Sequence, residues 1–196
     1  MEQREGRRDL GSRLLEEFQN LDEAVNRAVQ ATPTPTLDPI MRRLTQASNF
    51  SKLSIGQAAL LAVFGGPRGR RTGLLGLAAA LSASLVANVV VKLQVRRPRP
   101  DRTGRPSSRT ARATVTSSFP SGHTASAFAF STVVSQESPL LTLPSQSLAA
   151  LVGYSRVHSG MHYPSDVIGG AVLGMSIGSV VAGTSRRLRS GRPLSG

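Results

Sequence analysis

Cysteine is absent from the 196 residues, which excludes disulfides and thiolate metal sites. Aromatic residues make up 4% of the chain, too few for a protein that binds nucleic acid by stacking bases. Acidic residues are scarce as well: 11 Asp+Glu stand against 24 Lys+Arg, a formal net charge of +13. That imbalance demands an anionic partner, whether nucleic acid, an anionic membrane surface or a phosphorylated substrate. Charge itself is missing from two long stretches. Gly73–Val91 runs for nineteen residues without one, and Val167–Thr184 for eighteen. Crossing the hydrocarbon core takes about 17–25 mostly apolar residues, so both stretches can span.

What remains falls into three parts. Residues 1–50 form an N-terminal amphipathic region, 51–185 a hydrophobic bundle, and 186–196 a basic tail. Leu10, Leu14, Leu15, Phe18, Leu21, Val25 and Val29 recur at helical spacing in a first helix too polar to span. It should lie on the membrane surface or pack against the bundle. Its residues are charged throughout and show no apolar h-region. Thr32–Pro39 (TPTPTLDP) breaks it, and Leu37, Ile40, Met41 and Leu44 suggest a short second helix. Five hydrophobic helices follow, at 53–66, 73–92, 122–136, 145–156 and 165–184. The expected fold is therefore an all-α, membrane-embedded bundle of about five helices. The alternative for these runs is a set of core helices in a soluble Ala/Gly-rich bundle. Arg96–Ser118, rich in Arg, Pro, Ser and Thr, would by itself read as a disordered basic loop.

Spanning helices alternate in direction. The end of the second, the start of the third, the end of the fourth and the start of the fifth must then share one face. Lys92, Arg96, Arg97 and Arg99 follow the second helix, and Pro120–His123 opens the third. Ser155 and Arg156 end the fourth, and His162 and Asp166 open the fifth. Four separated segments thus converge on one candidate site.

Lys92, Arg99 and Arg156 would surround a phosphate, the Arg forks pairing with its oxygens and Lys adding a point charge. Taken singly, Lys92 and Arg99 read equally well as a basic flank touching lipid headgroups. Ser121 suits an N-cap, and Gly122 lets backbone approach a ligand at a helix N-terminus, where free N–H groups favour anions. His123, in the first turn, is placed to act as general acid, or it is an ordinary interfacial His. His162 and Asp166 are four apart with Pro164 between, so Asp166 could fix the tautomer of a nucleophilic His162. A metal site is disfavoured by the missing Cys and the lack of a second nearby carboxylate. His158 is read as structural or as a peripheral contact, since the acid and nucleophile roles are filled.

The motifs carry a resemblance. Lys92–Pro100 (KLQVRRPRP), Pro120–His123 (PSGH) and Ser155–Asp166 (SRVHSGMHYPSD) resemble, complete and in order, the three motifs of the type 2 phosphatidic acid phosphatase (PAP2) superfamily, membrane lipid phosphatase branch. The chain is also similar to the phosphatase module of actinobacterial proteins that carry a diacylglycerol-kinase-like domain. The resemblance implies a helical bundle hydrolysing a phospho- or diphospho-lipid through a phosphohistidine, without metal or cofactor. By motif position, Lys92, Arg99 and Arg156 bind phosphate and Ser121 and Gly122 hold its oxygens. His123 protonates the leaving group, His162 attacks and Asp166 orients it. The expected partners are a phosphorylated lipid and the membrane, not nucleic acid. Both faces are rich in Arg, so the positive-inside rule does not decide orientation; the resemblance implies a multi-pass protein with an external site. A soluble acid phosphatase or a vanadate-dependent haloperoxidase relative is the alternative. A basic, non-catalytic binding protein would explain the charge but not the three motifs on one face.

Overall fold

The computed structural model describes residues 2–101 and 116–191. Residues 102–115 of the basic stretch, Arg192 and the side chains of Leu10, Leu14 and Leu15 lie outside the described residues. Seven helices order the described chain: α1 Glu2–Ala31, α2 Leu37–Ala47, α3 Lys52–Phe64, α4 Gly66–Gln94, α5 Gly122–Glu137, α6 Thr142–His158 and α7 Pro164–Ser190. No strand occurs among them. The five hydrophobic helices foreseen from charge-free runs are α3–α7. Two extend well past those runs. α4 starts at Gly66 and takes in the charged turn of Arg68, Arg70 and Arg71, while α7 continues through Arg186–Ser190. A helix end is fixed by caps and breakers, and charge near a membrane surface does not stop it.

The helices alternate in direction, and ion pairs mark one end. Arg71, near the start of α4, and Arg189, near the end of α7, both meet Glu137 at the end of α5, at 3.3 and 3.2 Å. The opposite ends of these helices carry the motif residues. α4 does not run uniformly to that end: Val86–Val91 is a π-helical turn. Such turns widen the helix and re-aim the residues after them. Here the turn is followed directly by Lys92.

Side-chain size is distributed in the reverse of a soluble protein. The core of α4, α5 and α7 is built from Ala79, Ala83, Ala87, Ala125, Ala129, Val133 and Ala182. Large apolar residues point outward: Phe64 is 83% exposed, Val63 72% and Val180 67%. Leu60, Leu74, Leu81, Leu85 and Ile168 do the same. A water-soluble bundle would bury these groups and spare its small ones. In lipid the tails solvate large side chains equally well, and helices associate by close backbone approach across small residues. α4 and α7 are long and apolar enough to cross a membrane.

The most regular close approach is a seam between α5 and α7. A Cβ on Gly170, Gly174 or Gly178 would lie 2.6, 2.3 or 2.6 Å from the carbonyl oxygen of Ser121, Ala125 or Ala129. Each step of four residues on one helix meets a step of four on the other.

α1 and α2 pack over the motif-bearing end. α1 lies across α6 and α7 with an unexpected face inward. Asp22 and Asn26 are buried, whereas Phe18, Leu21 and Val25 are exposed. Periodicity identifies two faces of a helix but not which one has partners, and here the partners are polar. The PT-rich segment does end α1, and Met41 of α2 is buried.

A methyl group at Gly174 meets backbone, which cannot yield, whereas one at Gly183 meets nothing within 4 Å. Gly174→Ala is expected to destabilise the detergent-solubilised protein by about 1–3 kcal/mol, the usual range for overpacking. Gly183→Ala should be neutral. Thermal unfolding of the two variants side by side checks the contrast.

Candidate active site

At the motif-bearing end lies a cavity of about 650 Å³. Lys92, Arg99, Gly122, His123, Arg156 and His162 all line it, so six of the eight residues singled out from sequence share one space. Among the described residues that line it there is no carboxylate. The other two stand behind the wall. Asp166 and Ser121 are fully buried. The Ser121 hydroxyl is used as the N-cap of α5, accepting from the Thr124 amide at 3.4 Å and its hydroxyl at 2.8 Å. Of the PSGH turn, Gly122 and His123 therefore face the cavity. Gly122 also has a packing reason to lack a side chain, since a Cβ would sit 2.9 Å from the Asn88 amide nitrogen.

The local geometry of His162 follows from acceptor chemistry. Its Nδ1 lies 2.8 Å from the Ser118 carbonyl oxygen. A carbonyl only accepts, so Nδ1 carries the hydrogen and Nε2 keeps its lone pair. Burial disfavours the imidazolium and holds the His162 pKa below its ordinary value, although Asp166 pulls the other way. A neutral ring with its lone pair on Nε2 is the form a nucleophile requires. An Arg99 nitrogen lies 3.5 Å from that Nε2.

Asp166 is 3.6 Å from His162 Nδ1, beyond hydrogen-bond range. The direct carboxylate–imidazole bond expected from the four-residue spacing is replaced by a relay. Asp166 Oδ2 accepts from the Ser118 hydroxyl and from the Tyr163 amide, the latter at 2.8 Å. Ser118 in turn offers its carbonyl to His162. Asp166 Oδ1 takes an Arg97 N–H at 2.9 Å. The Arg97 guanidinium covers the Tyr163 ring at 4.3 Å. Burial works against the charge on Arg97, but hydrogen bonds and attraction from Asp22 and Asp166 prevail and raise its pKa.

The cations are held mostly by uncharged groups of residues that themselves line the cavity. Arg156, 1% exposed, donates from one nitrogen to Ser48 Oγ at 2.8 Å, Asn49 Oδ1 at 3.3 Å and the Thr45 carbonyl at 3.4 Å. Its Nε has no hydrogen-bond partner among the described residues. Arg99 donates to the carbonyls of Met161 and Thr116 at 2.7 and 2.9 Å. Lys92 donates to Asn88 Oδ1 at 2.7 Å, a contact between the π turn and the residue it re-aims. His123 Nε2 meets Asn49 Oδ1 at 3.1 Å. Because that oxygen also accepts from Arg156, the shared hydrogen on His123 is on Nε2.

Sequence reasoning thus missed Asn49, Ser118, Arg97 and Asp22. Arg97 was noted among the basic residues of its segment but given no task. Ser118 sat inside a stretch that looked disordered. Its described ends are paired instead: the Ser118 amide donates to the Arg97 carbonyl at 2.9 Å. His158 is buried against Asp38 and Thr34, each at 3.2 Å, and anchors the α1–α2 connection away from the cavity.

Comparison with known proteins finds relatives in sequence and in fold. Residues 73–189 match the model of the PAP2 superfamily. Decaprenylphosphoryl-5-phosphoribose phosphatase of Mycobacterium tuberculosis is 34% identical over 68% of this chain and 74% of its own. Among solved structures, the transmembrane PAP2 type phosphatidylglycerolphosphate phosphatase from Bacillus subtilis superposes with a TM-score of 0.68, at 27% identity, over 88% of each chain. Aquifex aeolicus LpxE gives 0.64 at 26% identity, over 81% of this chain and 92% of that one.

A cavity with three cations, no lining carboxylate and a buried guanidinium nitrogen without a partner should take up a tetrahedral oxyanion. Orthovanadate or inorganic phosphate is expected to raise the unfolding temperature with a saturable concentration dependence. Arg156→Ala should remove most of that stabilisation. Thermal shift in detergent checks both, with chloride at equal ionic strength as the control.

Proposed function

The chain belongs to the PAP2 superfamily and is a phosphatase of lipid phosphates, associated with the membrane, and we propose that it works through a phosphohistidine formed on His162. One observation carries the assignment: His162 gives its Nδ1 hydrogen to a backbone carbonyl and turns a lone pair into a cavity walled by Lys92, Arg99 and Arg156.

In the first step the phosphate enters among the three cations, whose N–H groups bind its non-bridging oxygens. Gly122, at the N-terminus of α5, lines the same space. His162 Nε2 attacks phosphorus as the bond to the lipid oxygen breaks, and His123, an imidazolium once the phosphate dianion is bound beside it, gives its Nε2 proton to that oxygen and becomes neutral. Asn49, which accepts from the same N–H, holds the ring ready until the leaving oxygen replaces it. In the second step water attacks phosphorus and gives a proton to the now neutral His123; the bond from phosphorus to His162 Nε2 breaks, which frees phosphate and restores the His123 imidazolium and the neutral His162 ring. The cations stabilise charge on the equatorial oxygens in both transition states, and they do so in a site sheltered from bulk water.

The substrate is a phosphate monoester or diphosphate on a lipid. The relatives named above carry decaprenylphosphoryl-phosphoribose and phosphatidylglycerol phosphate in their names, so the panel to try runs from phosphatidic acid through phosphatidylglycerol phosphate to polyprenyl phosphates. α3–α7 cross the membrane several times, with the site on the external face. The Arg residues at the opposite end, Arg68, Arg70, Arg71, Arg186, Arg187 and Arg189, then face the cytoplasm. The outward Leu, Val, Ile and Phe side chains argue against the soluble acid phosphatase and haloperoxidase readings.

His162→Ala is expected to abolish turnover, and Arg156→Ala to lower it about 100- to 1000-fold, as loss of one preorganised donor does. Phosphate release from the lipid panel in detergent, with EDTA present, should persist in the wild-type protein. Near-normal activity of purified His162→Ala, or activity abolished by EDTA and restored by a divalent cation, would overturn the mechanism. Extraction of the protein by a carbonate wash would overturn its membrane insertion.

A further inference from the structure

α1 reaches the catalytic machinery through one buried carboxylate. Asp22 is 6% exposed, and its Oδ2 lies 2.6 Å from Arg97 Nη2. The other fork nitrogen of Arg97 lies 2.9 Å from Asp166 Oδ1 and 2.7 Å from Ser165 Oγ. Asp22 also takes the Ser165 amide at 2.9 Å and the Ser165 hydroxyl. That amide is one of the free N–H groups in the first turn of α7, so Asp22 caps α7 from a different helix. One guanidinium thus bridges two carboxylates 144 positions apart in the chain (166 − 22).

We propose that Asp22 and Arg97 are positioning residues for the phosphatase reaction: α1 locks Arg97 onto Asp166, and Asp166 fixes Ser118, whose carbonyl sets the His162 ring. The inference rests on the phosphohistidine reading of His162. Neither residue lines the cavity that holds the two histidines, so neither contacts the transferring group. Their effect passes through geometry. A guanidinium held at both ends and stacked on Tyr163 has little rotamer freedom left. With Asp22 neutral, one leg of the fork is released and Arg97 can leave Asp166. A fully buried carboxylate that loses its cation draws in water or a proton. The Ser118 hydroxyl and its carbonyl shift with it, and His162 follows. Misplacement of a reacting group by about 1 Å costs on the order of 100-fold in rate.

The signature is a loss in kcat without a loss in KM, because phosphate binding stays with Lys92, Arg99 and Arg156. The full chain is purified in detergent, and phosphate release is measured from short-chain phosphatidic acid and from the lipid that the wild type prefers. Asp22→Asn and Arg97→Gln should each lower kcat about 10- to 100-fold, with KM within about twofold. The double variant should be no worse than the poorer single one, because the two act as one device. Arg97→Lys, which keeps the charge but not the fork, should recover part of the loss.

Gel filtration and thermal unfolding confirm that each variant is folded. If Arg97→Gln does not fold, Asp22→Asn decides the matter by the same criteria. Folded variants with kcat within twofold of wild type, or losses that multiply in the double variant, overturn the proposal. His162→Ala is assayed alongside. An active His162→Ala would remove the underlying reading, whereas an inert His162→Ala beside a normal Asp22→Asn would remove only the positioning role.

Discussion

The buried carboxylate of Asp166 is the constraint on which the site is built. It sits in the first turn of α7 with no access to water. A charge in that position survives only with good donors around it. It finds three: the Ser118 hydroxyl, the Tyr163 amide and the Arg97 guanidinium. Each comes from a different requirement of the fold. The Tyr163 amide closes the start of α7. Ser118 fastens the segment leading into α5. Arg97 fastens the segment leaving α4. The backbone adds a further tie, since the Ser121 amide donates to the Asp166 carbonyl at 2.9 Å. Satisfying one carboxylate therefore assembles three chain segments around His162.

The same division explains the electrostatics of the cavity. Behind its wall, Arg97 is matched by two carboxylates. In front, the partners that Lys92, Arg99 and Arg156 have among the described residues are carbonyls, amides and hydroxyls, which orient a cation without neutralising it. Their mutual repulsion is tolerated because the scaffold around them is fixed by other contacts. A bound phosphate then meets preorganised positive charge, in surroundings where the interaction is far less screened than in water.

Much of this was legible in the sequence, and the boundary of legibility is physical. Charge-free runs located α4 and α7, and alternation of direction brought Lys92, His123, Arg156 and His162 to one end; they line one cavity. The omissions share a cause. Asn49 joins His123 and Arg156 across 74 and 107 positions, and Asp22 joins Arg97 across 75. A polar residue with so distant a partner looks like any surface residue until the chain folds. The inward face of α1 was hidden for a related reason: an apolar stripe is normally the buried one, yet near a membrane it is free to point outward. Ser121 was legible as the N-cap it is, whereas Asp166 was placed beside His162 without the intervening Ser118, because spacing alone does not say whether a backbone carbonyl will intervene.

Packing and chemistry finally meet in the glycine seam. Lipid provides no hydrophobic drive to press helices together, so α5 and α7 are held by backbone contact at three successive steps. The last step, Gly170 against the Ser121 carbonyl, lies at the PSGH turn itself. The seam therefore sets how far the start of α5, which carries His123, stands from the start of α7, which follows His162. A side chain at any of the three glycines would wedge the helices apart and open the gap between His123 and His162. The rule that lets small residues pack in a membrane is also what fixes the distance between His123 and His162, the proposed acid and nucleophile.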